Sequence, residues 1–246
     1  MRLITKTSAN SLTWADSAMA GFDLETTGVN PLECRIVSAA IVLDIPGNEP
    51  KSWTWLVNPG VPIPLEASAI HGICDEEAQL KGMPPAIAVQ EIIGVLDAIG
   101  TAYDWQIPLV IYNAIYDVTV LSKELERHCG KKLDLRLPII DPLIMDRRLD
   151  KWRSGRRTQT AVASAYGIVV SGAHTSLGDV TCSLKLARTI AYKYPHIGRR
   201  DLASLQTMQA QAHREFAEQF TEYRRKEFPD FICNPSWPII SESETA

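Results

Sequence analysis

Asp23-Leu24-Glu25-Thr26-Thr27-Gly28 follows directly on the apolar run Ala18-Met19-Ala20-Gly21-Phe22. Side chains alternate along a strand, so Asp23 and Glu25, two positions apart, share one face of it. Two like charges held close together in a half-buried place are costly unless a cation offsets them. The economical reading is a divalent-metal site, completed by carboxylates from elsewhere in the chain. Two further segments offer them. Asn113-Ala114-Ile115-Tyr116-Asp117 follows a compact apolar strand and puts Asp117 in the first turn of a helix. In His174-Thr175-Ser176-Leu177-Gly178-Asp179, a histidine stands five positions before an aspartate at the start of another helix, whose positive end favours an anion. These four carboxylates and one histidine, each at a strand end or helix start, can converge on one cleft.

Such convergence requires a scaffold. Strands are expected over 18–24, 35–44 and 51–57, then 108–112 and 135–140. The second of these is apolar on both faces, as in a strand covered on both sides. Pro46-Gly47-Asn48 is a turn that favours an antiparallel hairpin into 51–57. Asn58-Pro59-Gly60 with Pro62 and Pro64 predicts an extended loop. Asp75 caps a short helix through Leu80, and Pro84-Pro85 opens an amphipathic one carrying Ile87, Ile92, Val95, Leu96 and Ile99. Helices are further expected over 117–129, 142–150, 158–166 and 176–193, and as one long pattern over 201–228. A leading meander followed by strands alternating with helices indicates an α/β fold, a mixed sheet covered by helices.

At 246 residues the chain suits one domain with an appendage. Its 46% hydrophobic and 22% charged content is that of a soluble globular protein. The net charge of −4 gives no overall basic field. Arg147, Arg148, Lys151, Arg153, Arg156 and Arg157 nevertheless cluster just ahead of the histidine motif, opposed only by Asp150, where they could steer phosphates or form a solvated face. Cys34, Cys74, Cys129, Cys182 and Cys233 are odd in number and lack a CxxC pair, which suits reduced thiols rather than a disulfide frame. The N-terminus has no apolar signal core, and the longest apolar stretch, near Ile36 to Leu43, falls short of the roughly 18 residues that span a bilayer. A cytoplasmic protein without a membrane partner is expected.

The three motifs, in this order, resemble the DnaQ-like 3′→5′ exonucleases, the DEDDh branch of the ribonuclease-H-like fold, which includes polymerase proofreading subunits. DLETTG matches as it stands, Asn113 to Asp117 fits N-x-x-F-D with Tyr116 in the phenylalanine place, and His174 to Asp179 fits H-x-x-x-x-D. Val57-Asn58-Pro59-Gly60 and Ala69-Ile70-His71-Gly72-Ile73 resemble the family's linking loop, and the similarity covers about 18–193. The resemblance implies a central mixed five-stranded sheet flanked by helices and an exonuclease domain over 1–194; the long helical pattern and the Pro-containing tail after it read as a C-terminal helical extension over 195–246 that packs on the domain or docks a polymerase or repair partner. It implies a metal-dependent enzyme releasing nucleoside monophosphates from the 3′ end of single-stranded DNA, in proofreading or repair. RNA as substrate, and an accessory module without turnover, are the alternatives.

By the same resemblance, Asp23, Glu25, Asp117 and Asp179 hold two Mg²⁺ or Mn²⁺ ions, with Asp23 shared between them and Asp117 acting through waters. His174 is the general base on the attacking water. Leu24, Thr26 and Thr27 contact the terminal nucleotide through backbone N–H and hydroxyl groups. Ile70 and His71 pack beside the last base or sugar, unless His71 serves a loop-stabilising hydrogen bond, and Asn113 binds substrate or pins its turn. The chain departs from the family pattern at Tyr112, where a histidine is common, and at Thr175, where an arginine is common.

Overall fold

Asp23 and Glu25 lie at the end of the strand that organises the sheet. A computed structural model describes residues 13–170 and 172–240. Its strands are β1 (Met19–Thr26), β2 (Ile36–Asp44), β3 (Lys51–Leu56), β4 (Leu109–Val110) and β5 (Ile139–Ile140), in the spatial order β3-β2-β1-β4-β5. β1 pairs antiparallel with β2 and parallel with β4, so the meander and the crossover strands meet at β1. Its pairing with β2 shifts register between Glu25 and Thr26, an irregularity of the kind that re-aims side chains at a strand end.

Helices α1 (Leu65–His71), α2 (Asp75–Lys81), α3 (Pro85–Ala102) and α4 (Ala114–Cys129) precede β5. After it come α5 (Pro142–Leu149), α6 (Gln159–Ala165), α7 (Ser176–Lys193), α8 (Pro195–Gly198) and α9 (Leu202–Arg225). Alternation along β1 divides the core in two. Ala20, Phe22 and Leu24 join Ile92 and Leu96 of α3 and Val118 and Leu121 of α4. Met19 points the other way, to Val180, Leu184 and Ile190 of α7. Gly21 lies on that side, and a Cβ there would sit 2.6 Å from Val180 Cγ1. Asp23 and Glu25 continue the same alternation, toward α7. Helix α3 is apolar and long enough to cross a bilayer by length and composition, and here its Ala88, Val89, Ile92, Leu96 and Ile99 are buried.

The last strand is protected rather than open. Gln206 of α9 accepts from the Ile139 N–H at 2.9 Å; Gln209 accepts from the Asp141 N–H at 2.7 Å and donates to the Ile139 carbonyl at 2.9 Å. Two glutamines thus satisfy the backbone of an edge strand that would otherwise invite pairing with another chain.

Several elements differ from expectation. The crossover strands are two residues each, shorter than 108–112 and 135–140. The extended loop ends at a helix, because Pro64 occupies the N-cap of α1, where a missing N–H costs nothing, and Gly72 at φ 76° closes it. Helix α4 starts at Ala114 instead of 117, since Asn113 adopts a left-handed conformation at φ 61° that admits the helix directly after it.

Candidate active site

The carboxylates of Asp23, Glu25 and Asp179 each place an oxygen within 4.8 Å of the others. Asp179 comes from the first turn of α7, which Thr175 caps by accepting the Gly178 N–H at 3.1 Å. The turn is tight: any Cβ on Gly178 would collide with the Gly172 carbonyl. Asp117 enters from the first turn of α4 and is buried; its Oδ1 accepts the Leu24 N–H at 3.0 Å, which ties the second motif to the first. With Asn113, Leu143 and Gln159, the acids Asp23, Asp117 and Asp179 line an open cleft of about 400 Å³.

The electrostatics of the cluster are unbalanced. Asp23 is raised well above the ordinary carboxylate range, by burial first and then by Asp117, Asp179 and Glu25. Burial and Asp179 push Glu25 up to about 7. Burial raises Asp117 against the opposing bond from Leu24, and raises Asp179 against His174. Among the described residues no Lys or Arg forms an ion pair with any of the four. A gathering of hard oxygen donors short of positive charge fits a divalent cation of the Mg²⁺ or Mn²⁺ type. His174 stands exposed on the loop before α7, at φ 64°, close enough for its backbone and imidazole to oppose the rise of Asp179.

The exonuclease family model matches residues 20–187, which include all five of these residues. The chain belongs to the exonuclease family. It is 30% identical over 167 residues to a DNA polymerase III subunit epsilon-like protein of Rhodobacter capsulatus, covering 66% of this chain and 22% of that protein. It is 30% identical over 130 residues to the PolC-type DNA polymerase III of Streptococcus pyogenes, covering 52% of this chain and 8% of the relative. In fold it is similar to E. coli exonuclease I in complex with a dT13 oligonucleotide, with TM-score 0.59 and 20% identity over 74% of this chain and 42% of that one. The chain therefore spans under half the length of each of these proteins.

Around the acids of this exonuclease domain, several groups expected to be free for substrate are engaged. The Leu24 N–H is taken by Asp117. Thr26 Oγ1 donates to the Gly28 carbonyl at 2.9 Å and also meets the Tyr116 hydroxyl. Thr27 donates its N–H to the Arg35 carbonyl at 3.0 Å, and its hydroxyl accepts the Arg35 N–H at 2.9 Å. These hydroxyls and amides hold the turn after β1 in shape. Ile70 is 58% exposed on α1. Its neighbour His71 is buried and takes the loop-stabilising bond, Nδ1 accepting the Ile73 N–H at 3.1 Å. Burial lowers the pKa of His71, and Nε2 lies buried by the Thr26 backbone without a hydrogen-bond partner among the described residues. Asn113 is exposed on the cleft wall at its left-handed turn.

The basic run is largely committed. Arg153 pairs at 2.8 Å with Asp146, which is fully buried, and Arg157 pairs with the same oxygen. Arg148 pairs with Glu215 of α9 at 3.0 Å. The two family departures also have structural work: Tyr112 donates its hydroxyl to the Arg157 carbonyl at 2.6 Å, and Thr175 is the α7 cap.

One residue of consequence lay outside the motifs. Asp141 is buried, and its carboxylate accepts the N–H groups of Asn113 at 3.0 Å, Ala114 at 2.9 Å and Leu143 at 2.9 Å. It joins the end of β5, the start of α5 and the start of α4, and so sets the helix that carries Asp117. The Asp-Pro pair before an apolar helix signals a cap in the sequence; the tie to α4 has no local signal.

Proposed function

We propose that the protein is a metal-dependent 3′→5′ exonuclease that hydrolyses the terminal phosphodiester of single-stranded DNA and releases nucleoside monophosphates. The observation that carries this reading is the gathering of Asp23, Glu25 and Asp179 within 4.8 Å, with Asp117 beside them and no protein cation paired to them among the described residues. Asp23, Glu25 and Asp179, supported by Asp117, would hold two Mg²⁺ or Mn²⁺ ions. Bound there, such ions supply the positive charge that activates a water and stabilises the charge building on the phosphate and the departing 3′ oxygen. His174 takes the proton of the attacking water as its oxygen bonds to phosphorus. The phosphorus–O3′ bond breaks, and the 3′ oxygen takes up a proton from solvent. Exposure of His174 suits it to exchange that proton with solvent after each turnover. Ile70, exposed beside the buried His71, offers an apolar surface for the terminal base, and Asn113 offers a polar group to the strand.

Support for DNA comes from the company the chain keeps: two relatives carry DNA polymerase names, and the exonuclease I neighbour holds a dT13 oligonucleotide. For 195–246 we favour a structural extension over a docking arm, because Gln206 and Gln209 complete the β5 edge and buried Leu205 joins the α7 core. The test is degradation of 5′-labelled single-stranded DNA and RNA of one sequence with Mg²⁺, beside Asp23→Ala. A ladder shortening from the 3′ end, faster on DNA and absent in the variant, is expected. Turnover retained by Asp23→Ala would overturn the assignment, and faster loss of RNA would replace the substrate.

A further inference from the structure

A second cavity, of about 440 Å³, adjoins the acidic cleft, and the two share Arg147 and Arg157 in their walls. One side of it is α5 with the 151–157 loop; the other is α9, which supplies His213 and Phe216 and lies outside the family segment 20–187. Arg148 and Lys151 also line it. Two of its four Lys and Arg side chains already have anions: Arg157 is held by Asp146, and Arg148 by Glu215. Arg147 differs. Its guanidinium carbon lies 3.9 Å from the centre of the Phe216 ring, a stacking contact that fixes the plane of the group. Among the described residues it forms no ion pair, and none accepts a hydrogen bond from its side chain. Asp141 and Arg157 act on it from beyond pairing distance, with opposite effects. A positioned guanidinium whose forked donors lack a protein acceptor is suited to a phosphate.

We infer that the strand leaves the acidic cleft past Arg147, and that the cavity between α5 and α9 binds phosphodiester groups upstream of the scissile bond. The inference rests on the exonuclease reading and names the part of the substrate this surface takes. Arg147 would hold the first phosphate beyond the cleft, and exposed Lys151 would neutralise charge further out. This gives α9 a second role, as the far wall of the strand path.

The test compares two substrates: the p-nitrophenyl ester of thymidine 5′-monophosphate, which has no upstream strand, and a single-stranded oligonucleotide of about a dozen nucleotides. The quantity read is the KM of the oligonucleotide divided by that of the ester. Arg147→Gln should change this ratio about tenfold in the direction of weaker oligonucleotide binding, the size of one charged hydrogen-bonded contact. It should also flatten the dependence of log KM on log salt by about 0.7. Lys151→Gln, at an exposed position where loss of fold is no concern, should change the ratio about threefold in the same direction. An unchanged ratio in either variant overturns the inference. Failure of the unaltered protein to hydrolyse either substrate overturns the exonuclease reading itself, and the two failures are thereby distinct.

Discussion

Removing divalent cations should give this protein a stability that falls as pH rises. Without a cation, burial and Asp179 push Glu25 from 4.5 to about 7. A carboxyl group raised in the folded chain keeps its proton there after the unfolded chain has lost it. Between about pH 4.5 and 7 the folded state therefore binds more protons, and stability declines through that window. Each pH unit separating the two titrations is worth about 1.4 kcal/mol. The separation gives ~3.4 kcal/mol, which partial solvation of Glu25 reduces to about 2 kcal/mol. In a chain of this size that is roughly 4–8 °C of melting temperature. Asp23 and Asp117 are raised in the same direction and add to the decline. Asp16 and Asp201 are lowered, so their opposite contribution falls below the window, whereas burial lowers His71 and His213 from 6.5 and their opposite contribution falls inside it, reducing the net decline. The assay is thermal unfolding followed by circular dichroism from about pH 5 to about pH 8, in chelator and in saturating Mg²⁺. Chelated protein should lose stability across the range, and Mg²⁺ should restore most of it at the alkaline end. A metal-free melting temperature that climbs from pH 5 to 8 would refute the reasoning.

Three substitutions probe the same construction. Asp23→Asn removes one of the crowded charges; it should cut turnover about a thousandfold or more while raising the metal-free melting temperature, and a lower one would contradict the crowding. Gly21→Ala would set a Cβ 2.6 Å from Val180 Cγ1 and 3.0 Å from Leu184 Cγ. Overpacking of this kind costs about 1–3 kcal/mol, and because α7 must give way, Mn²⁺ affinity should fall with it; calorimetric titration beside a melt would show both. Gln209→Leu keeps the volume but leaves the Asp141 N–H and the Ile139 carbonyl unpaired in a buried place. It should cost about 2–4 kcal/mol in urea unfolding and lower kcat, since the Asp141 knot sets the start of α4.

What was legible in the chain followed from local chemistry. Asp23 and Glu25 share a face because side chains alternate along a strand, and Asp179 lies in a first helical turn because Thr175 is a good cap. The sheet class followed from the order of apolar runs. Other features depended on partners distant in sequence. Nothing near Asp141 announces that it binds the amides of Asn113 and Ala114, 28 and 27 positions away. The basic run read as either a phosphate surface or a solvated face, and neither reading contains the buried Asp146 that pairs with Arg153 and Arg157. Nor does the sequence announce that Gly28, Tyr116 and Arg35 engage Thr26 and Thr27 in the turn. Helix α1 was obscured because Pro62 and Pro64 mark loops and helix starts alike.

The measurement that bears most directly on the central claim is a calorimetric titration of the chelator-treated protein with Mn²⁺ at about pH 7.5, beside Asp23→Asn. If Asp23, Glu25, Asp117 and Asp179 form one metal centre, the unaltered protein takes up two ions per chain and releases protons as it does so, while the variant loses that uptake. A protein that binds no Mn²⁺, or a variant that binds it as the unaltered chain does, would contradict the account and leave the acids as a cluster kept neutral by shared protons.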